Sequence, residues 1–167
     1  MKKYVTGIIL VCAAVIGLSG CGSTKNDTPQ DGTDRETTIE TEQASREITL
    51  YVGNGNADGF VTETVVLEAV IPENIIAALA EKNVVSDEVK VLAFEDAGET
   101  LTLDLSKEYQ EYVSSYGTAG ELIAVGGVVN TFLDAYDADT ITILVEGQPW
   151  DTGHADYSGA LGRYSME

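Results

Sequence analysis

The residues nearest to a catalytic pattern lie at the C-terminal end. Asp151-Thr152-Gly153 matches the aspartic-protease tripeptide, and the sole histidine, His154, follows it, with Asp156 and Ser158 close behind. An aspartic protease needs two such aspartates sharing one proton, and this chain carries one. A Ser–His–Asp triad draws its members from separated segments that the fold brings together, whereas these four residues are near neighbours. A single histidine is also a poor basis for a zinc site. We therefore read residues 151–158 as a turn with a structural histidine. We expect no enzyme activity, no catalytic residue and no cofactor.

A second candidate is YVGNGNADGF, residues 51–60. Asn54, Asn56 and Asp58 alternate and Gly59 follows, as in the first half of an EF-hand calcium loop. The twelfth position, which should be a bidentate glutamate, is Val65, and the first is Asn rather than Asp. The flanks, EITLYV (47–52) and FVTETVVLEAV (60–70), have the pattern of strands, not helices. The stretch is read as a strand connector, with weak calcium binding as the alternative and no metal site assigned. Tyr109, Tyr112 and Tyr116 could stack on sugar rings, but helical spacing with Val113 is the pattern of packing. Asn130 falls near the apolar face of a helix, where a buried amide needs partners, so it is read as a structural tie. Asp134, Asp137 and Asp139 surround a helix end, where negative charge is unfavourable, and are read as a solvated face.

The residue with the strongest chemical assignment is Cys21. The chain opens MKKYVTGIILVCAAVIGLSGC: two lysines, an apolar run from Val5 to Leu18, then small residues. The run is short of the roughly 20 residues that span a bilayer and has the layout of an export signal. Leu18-Ser19-Gly20-Cys21 resembles the lipobox of bacterial lipoproteins. That resemblance implies cleavage after Gly20, diacylation of the Cys21 sulfur, and anchoring in the cell membrane on its extracytoplasmic side. Cys12 and Cys21 are then both used, so the folded part has no disulfide and no thiolate metal site. Residues 21–45, nearly devoid of large apolar side chains, read as a disordered tether. The remainder, 46–167, is one domain by length.

Charge narrows the partners. The chain has 28 Asp and Glu against 9 Lys and Arg, and a surface so acidic repels nucleic acid and anionic lipid. It favours a basic protein partner or weakly held cations.

The elements that must position these residues follow from periodicity. After the two leading strands, Pro72 suits the first turn of a helix over 72–82. Strands at 88–96 and 99–105 join at Ala97-Gly98, a hairpin signal. Ser106 is a candidate N-cap for a helix over 107–116. Thr118 and Glu121 have the spacing of a capping box opening a helix to about Ala135, with Leu122, Val125, Val129, Phe132 and Tyr136 on one face. Gly126 and Gly127 inside it each cost roughly 1 kcal/mol relative to alanine, which close packing would offset. A strand at 139–147 precedes an irregular tail. The expected class is α+β: a small, mostly antiparallel sheet with helices on one face.

LTLDLSKEY (101–109), GTAGELIAVGGVVNTFLDAYDADTITILVEGQPW (117–150) and GHADYSGAL (153–161) together resemble the GerMN domain. The family occurs in bacterial envelope lipoproteins linked to sporulation and spore germination. The resemblance implies a non-catalytic protein-binding or assembly module outside the membrane. The helix–strand–strand–helix–strand order is also similar to the ring-building motif of spore-channel and secretion-system proteins, which implies self-association or docking to such a module. The alternative is a lipoprotein that binds cell-wall peptidoglycan or a small ligand, unrelated to sporulation.

Overall fold

The computed structural model of the protein describes residues 45–56 and 58–165. Strand β1 (Arg46–Gly53) buries Ile48 and Leu50 and pairs antiparallel with β2 (Phe60–Leu67), from Arg46 opposite Leu67 to Gly53 opposite Phe60. The polar stretch of residues 54–59 is their connector, and Asn54 organises it. Its side-chain oxygen accepts from the backbone N–H groups of Asn56 and Asp58 at 3.1 and 3.3 Å, and its own N–H donates to the Gly59 carbonyl at 2.9 Å. The amide that would have been a calcium ligand is spent on the turn, as asparagine commonly is.

Helix α1 (Pro72–Glu81) starts with proline in its first turn and buries Ile75, Ile76 and Leu79. Strands β3 (Val91–Asp96) and β4 (Thr100–Leu105) form the expected hairpin. Gly98 turns it at φ +86°, a conformation that favours glycine. Then come α2 (Lys107–Ser114), α3 (Thr118–Tyr136) and β5 (Thr140–Val145).

The α+β expectation holds, with two refinements. The leading strands form their own two-stranded sheet, separate from the three-stranded sheet ordered β3-β4-β5. And β5 lies parallel to β4, from Thr100 opposite Thr140 to Leu105 opposite Val145, because α2 and α3 cross over between them. One face of this sheet presents Leu101, Leu103, Leu105, Ile141, Ile143 and Val145, all buried.

Helix α3 is the centre of the domain. Phe132 meets Phe94 of β3 at a ring separation of 6.0 Å. On another flank the Tyr51 N–H of β1 donates to Thr131 Oγ1 at 3.1 Å. Every residue from Ala124 to Leu133 is buried, so the helix is enclosed on all sides rather than along a single stripe. Gly126 and Gly127 allow this. A β-carbon on Gly126 would stand 2.6 Å from Phe60 Cζ, and one on Gly127 would stand 2.8 Å from the Tyr51 carbonyl oxygen.

Two local expectations are corrected. The Thr118–Glu121 capping box does not form: Gly117 is the N-cap of α3 and no side chain caps it. Glu121 instead turns inward, where hydroxyl donors claim its carboxylate. Ser106 does stand at the N-cap of α2, yet its hydroxyl caps nothing in that helix and accepts from the Lys90 N–H at 3.0 Å, tying the approach to β3 to the start of α2.

The C-terminal stretch is irregular but built into the core. Leu161 and Ile141 exchange two backbone hydrogen bonds, and buried Trp150 stacks on buried Tyr157 at 4.8 Å. Asn130 is the tie expected of it: its amide donates to the Tyr164 carbonyl at 2.9 Å and accepts from the Tyr164 N–H at 2.8 Å. Asn130→Ala forfeits both, roughly 2 kcal/mol of local attachment. Trypsin should then cut after Arg163 about thirtyfold faster under native conditions, which mass spectrometry of the released C-terminus measures.

The export signal 1–20, Cys21 and all but the last residue of the tether 21–45 lie outside the described residues. No described helix is long and apolar enough to cross a membrane.

Candidate functional site

The Asp151–Ser158 segment folds as two turns. Asp151 Oδ1 accepts from the Gly153 N–H and Asp156 Oδ1 from the Ser158 N–H, each at 2.9 Å. Both aspartates are thus occupied by their own turns, as the turn reading of 151–158 expects. The segment borders a depression of about 550 Å³ with Trp150, His154 and Ser158 on its walls. The His154 ring is 58% exposed and points Nδ1 at Glu121 Oε2, 3.4 Å away, not at Ser158. Among the described residues no hydrogen bond joins the imidazole to a hydroxyl nucleophile, and no cluster of three or more His, Cys, Asp or Glu is placed to hold a metal ion.

Beneath this segment sits Glu121, 1% exposed. Oε1 accepts from Thr152 Oγ1 and from the Tyr157 hydroxyl, both at 2.7 Å, while Oε2 makes no hydrogen bond and faces His154. Burial works to raise the carboxyl pKa; the hydroxyl donors and His154 outweigh it and hold Glu121 below the usual carboxylate range. Tyr157 moves the other way: burial and the adjoining carboxylate push its phenol up. The group is an anionic latch between α3 and the C-terminal segment. Its glutamate sits in the first turn of a helix, where capping is the ordinary explanation, and that hid it in the sequence.

The tyrosine stripe divides. Tyr109 is fully buried and packs edge-on against Trp150 at 5.2 Å. Tyr112 is half-buried and Tyr116 is 40% exposed. The Tyr112 hydroxyl donates to the Asn83 carbonyl at 2.7 Å, the Tyr116 hydroxyl donates to Tyr112 Oη at 2.9 Å, and the two rings meet edge to face at 5.2 Å. They form one side of a cleft of about 310 Å³ whose other walls include Val52, Val84, Ile123 and Ala124. Two glycines set its shape. A β-carbon on Gly120 would lie 2.9 Å from Tyr116 Cβ, and one on Gly53 would lie 2.5 Å from Ile123 Cγ2. Those glycines were the available sequence signal for a close approach at this point.

The charge distribution completes the picture. Residues 45–165 hold 21 Asp and Glu against 5 Lys and Arg. Four of the five cations are engaged: Arg46 with the Ala135 carbonyl, Lys82 with Glu63, Lys107 with Glu108 and Glu111, and Arg163 with Asp134. Asp134 is therefore not simply a solvated carboxylate; it also accepts from the Tyr51 hydroxyl at 2.6 Å. Asp137 takes the left-handed conformation that ends α3.

A family model described as Germane, sporulation and spore germination, matches residues 30–151. Among solved structures, the tandem GerMN domains of the sporulation protein GerM from Bacillus subtilis align with a TM-score of 0.54 at 15% identity, over 79% of this chain and 50% of that one. The chain thus spans half the length of the tandem structure, and the likeness is one of fold. The first GerMN domain of GerM alone gives a TM-score of 0.46 at 16% identity, over 73% and 97% of the two chains. A candidate lipoprotein from Clostridium perfringens gives 0.48 at 20% identity, over 71% and 87%. No curated protein matches.

Proposed function

The chain belongs to the Germane family of sporulation and spore germination domains, and from that premise we propose that it is a non-catalytic lipoprotein held on the extracytoplasmic side of the cell membrane through Cys21, whose domain binds another envelope protein in an assembly of sporulation or germination. One observation carries the binding reading: the excess of carboxylates over cations in the domain, with most of those cations already engaged. Such a surface steers a basic protein partner toward it and repels nucleic acid and anionic lipid headgroups. The chemistry-bearing residues near the C-terminus are spent on turns and on the Glu121 latch, which favours a binding role over a catalytic one.

A second reading, binding of cell-wall glycan, is favoured by the exposed tyrosine pair and its cleft. Co-sedimentation of the protein with purified peptidoglycan separates the two. The protein-binding reading expects the protein to stay in the supernatant, and to be crosslinked in cells to a basic envelope protein in a salt-sensitive manner. Tyr116-dependent pelleting with the wall would favour the glycan reading. A producing organism that forms no spores overturns the sporulation role. For the anchor, Cys21→Ala should abolish incorporation of alkynyl palmitate and leave unprocessed precursor on immunoblots; normal cleavage and labelling would remove the lipid from this account.

A further inference from the structure

The hydroxyl chain in the tyrosine cleft has a fixed direction. A carbonyl oxygen can only accept, so the single proton of the Tyr112 hydroxyl is committed to Asn83. The contact between the two phenols must then use the proton of Tyr116. Tyr116 Oη is left with lone pairs alone, so toward an occupant of the cleft that Tyr116 lines it can act only as an acceptor. Asn54, at the same rim, donates one of its two amide hydrogens to Asp58 at 2.8 Å. The ammonium of Lys82 is held by Glu63, with Glu81 also acting on it. Lys82 is the one charged residue in the lining, and the carboxylates next to the lining residues, Asp58 on Asn54 and Glu63 and Glu81 at Lys82, outnumber it.

An occupant of this cleft must therefore be apolar along its length, carry a hydrogen-bond donor for Tyr116, and suit surroundings in which carboxylates outnumber cations. A long basic side chain meets all three requirements: its methylenes lie along apolar walls and its head is a donor that is also attracted to tyrosine rings. The volume of about 310 Å³ is at the small end for ligand sites and has room for one extended basic side chain. We propose that the Tyr112–Tyr116 cleft receives a lysine or arginine side chain of a protein partner. This assignment rests on the protein-binding reading above and names the residue type that reading would engage.

The test uses the full-length protein in detergent, titrated by NMR with acetyl-Gly-Lys-Gly-amide, its arginine and norleucine counterparts, and diacetylchitobiose. The lysine and arginine peptides should bind about tenfold tighter than the norleucine peptide, the scale of one charge-assisted hydrogen bond. Tyr116→Phe keeps the ring and the fold, so it should erase that preference while leaving norleucine binding unchanged. Equal affinity for lysine and norleucine, a preference that survives Tyr116→Phe, or tighter binding of the disaccharide than of any peptide each overturns the assignment. Crosslinking to the envelope partner that is unaltered in Tyr116→Phe would also overturn it while leaving the broader protein-binding reading intact. Tyr116-dependent selectivity for the basic peptides in a protein that crosslinks to no envelope protein would uphold the cleft chemistry and sink the assembly role.

Discussion

Gly127→Ala should lower the unfolding free energy by about 1–3 kcal/mol, even though alanine is the better helix former by roughly 1 kcal/mol. The new methyl would lie 2.8 Å from the Tyr51 carbonyl oxygen and 2.7 Å from Val84 Cγ1. The carbonyl belongs to β1, whose Tyr51 N–H is tied to Thr131 on the same helix, so the strand cannot retreat without giving up that bond. Gly126→Ala is the control. Its closest neighbour is the far end of the Phe60 ring at 2.6 Å, a side chain that can swing aside, and the loss should be well under half as large. Urea unfolding followed by fluorescence of the sole tryptophan, Trp150, measures both. Equal losses at the two positions would show that the tight approach of β1 to α3 is not what constrains the helix.

Removing the Glu121 carboxylate should cost a similar or larger amount. Glu121→Leu strands the buried Tyr157 hydroxyl and the Thr152 hydroxyl without their acceptor, and we expect a loss of about 3 kcal/mol. Glu121→Gln can still accept from both and should cost less. The two variants also differ from wild type in their response to acid. Because the folded carboxyl pKa is lowered, its stabilising contribution is fully present above the unfolded value of about 4.3. It is lost as the pH falls through the lower folded value. Wild type should lose this increment below about pH 4, whereas Glu121→Gln, which has no proton to take up there, should show a shallower decline. Unfolding midpoints measured from pH 7 to pH 3 decide this; parallel curves for wild type and Glu121→Gln would mean that the carboxylate is not preferentially stabilised in the fold.

Glu121 also marks how far the sequence could be read. Thr118-Ala-Gly-Glu121 satisfies a local rule for starting a helix, and the helix does start there. The carboxylate goes elsewhere because its partners are Thr152 and Tyr157, 31 and 36 residues later, a distance no short pattern encodes. Elements set by local chemistry were legible: alternation in β1, Pro72 opening α1, the glycine turn between β3 and β4, and the polar connector between the two leading strands. The direction of β5 was not, since alternation is the same in parallel and antiparallel strands. All-round burial of α3 had a signal in the nearly unbroken small and apolar run from Leu122 to Leu133, and a single-stripe reading underused it. In the candidate site, the tyrosine spacing was visible, but only the fold separates buried Tyr109 from the Tyr112–Tyr116 pair on the cleft.

The bond between the Tyr51 amide and Thr131 spans 80 residues, and the contact between Arg163 and Tyr51 spans 112. A two-stranded hairpin alone is marginal in water, so β1 and β2 have no durable partner until the helix that carries Thr131 has been made. At ordinary elongation rates that is a wait of roughly 4–16 s on the ribosome. The leading hairpin thus gains its lasting contacts only after the central helix has been made.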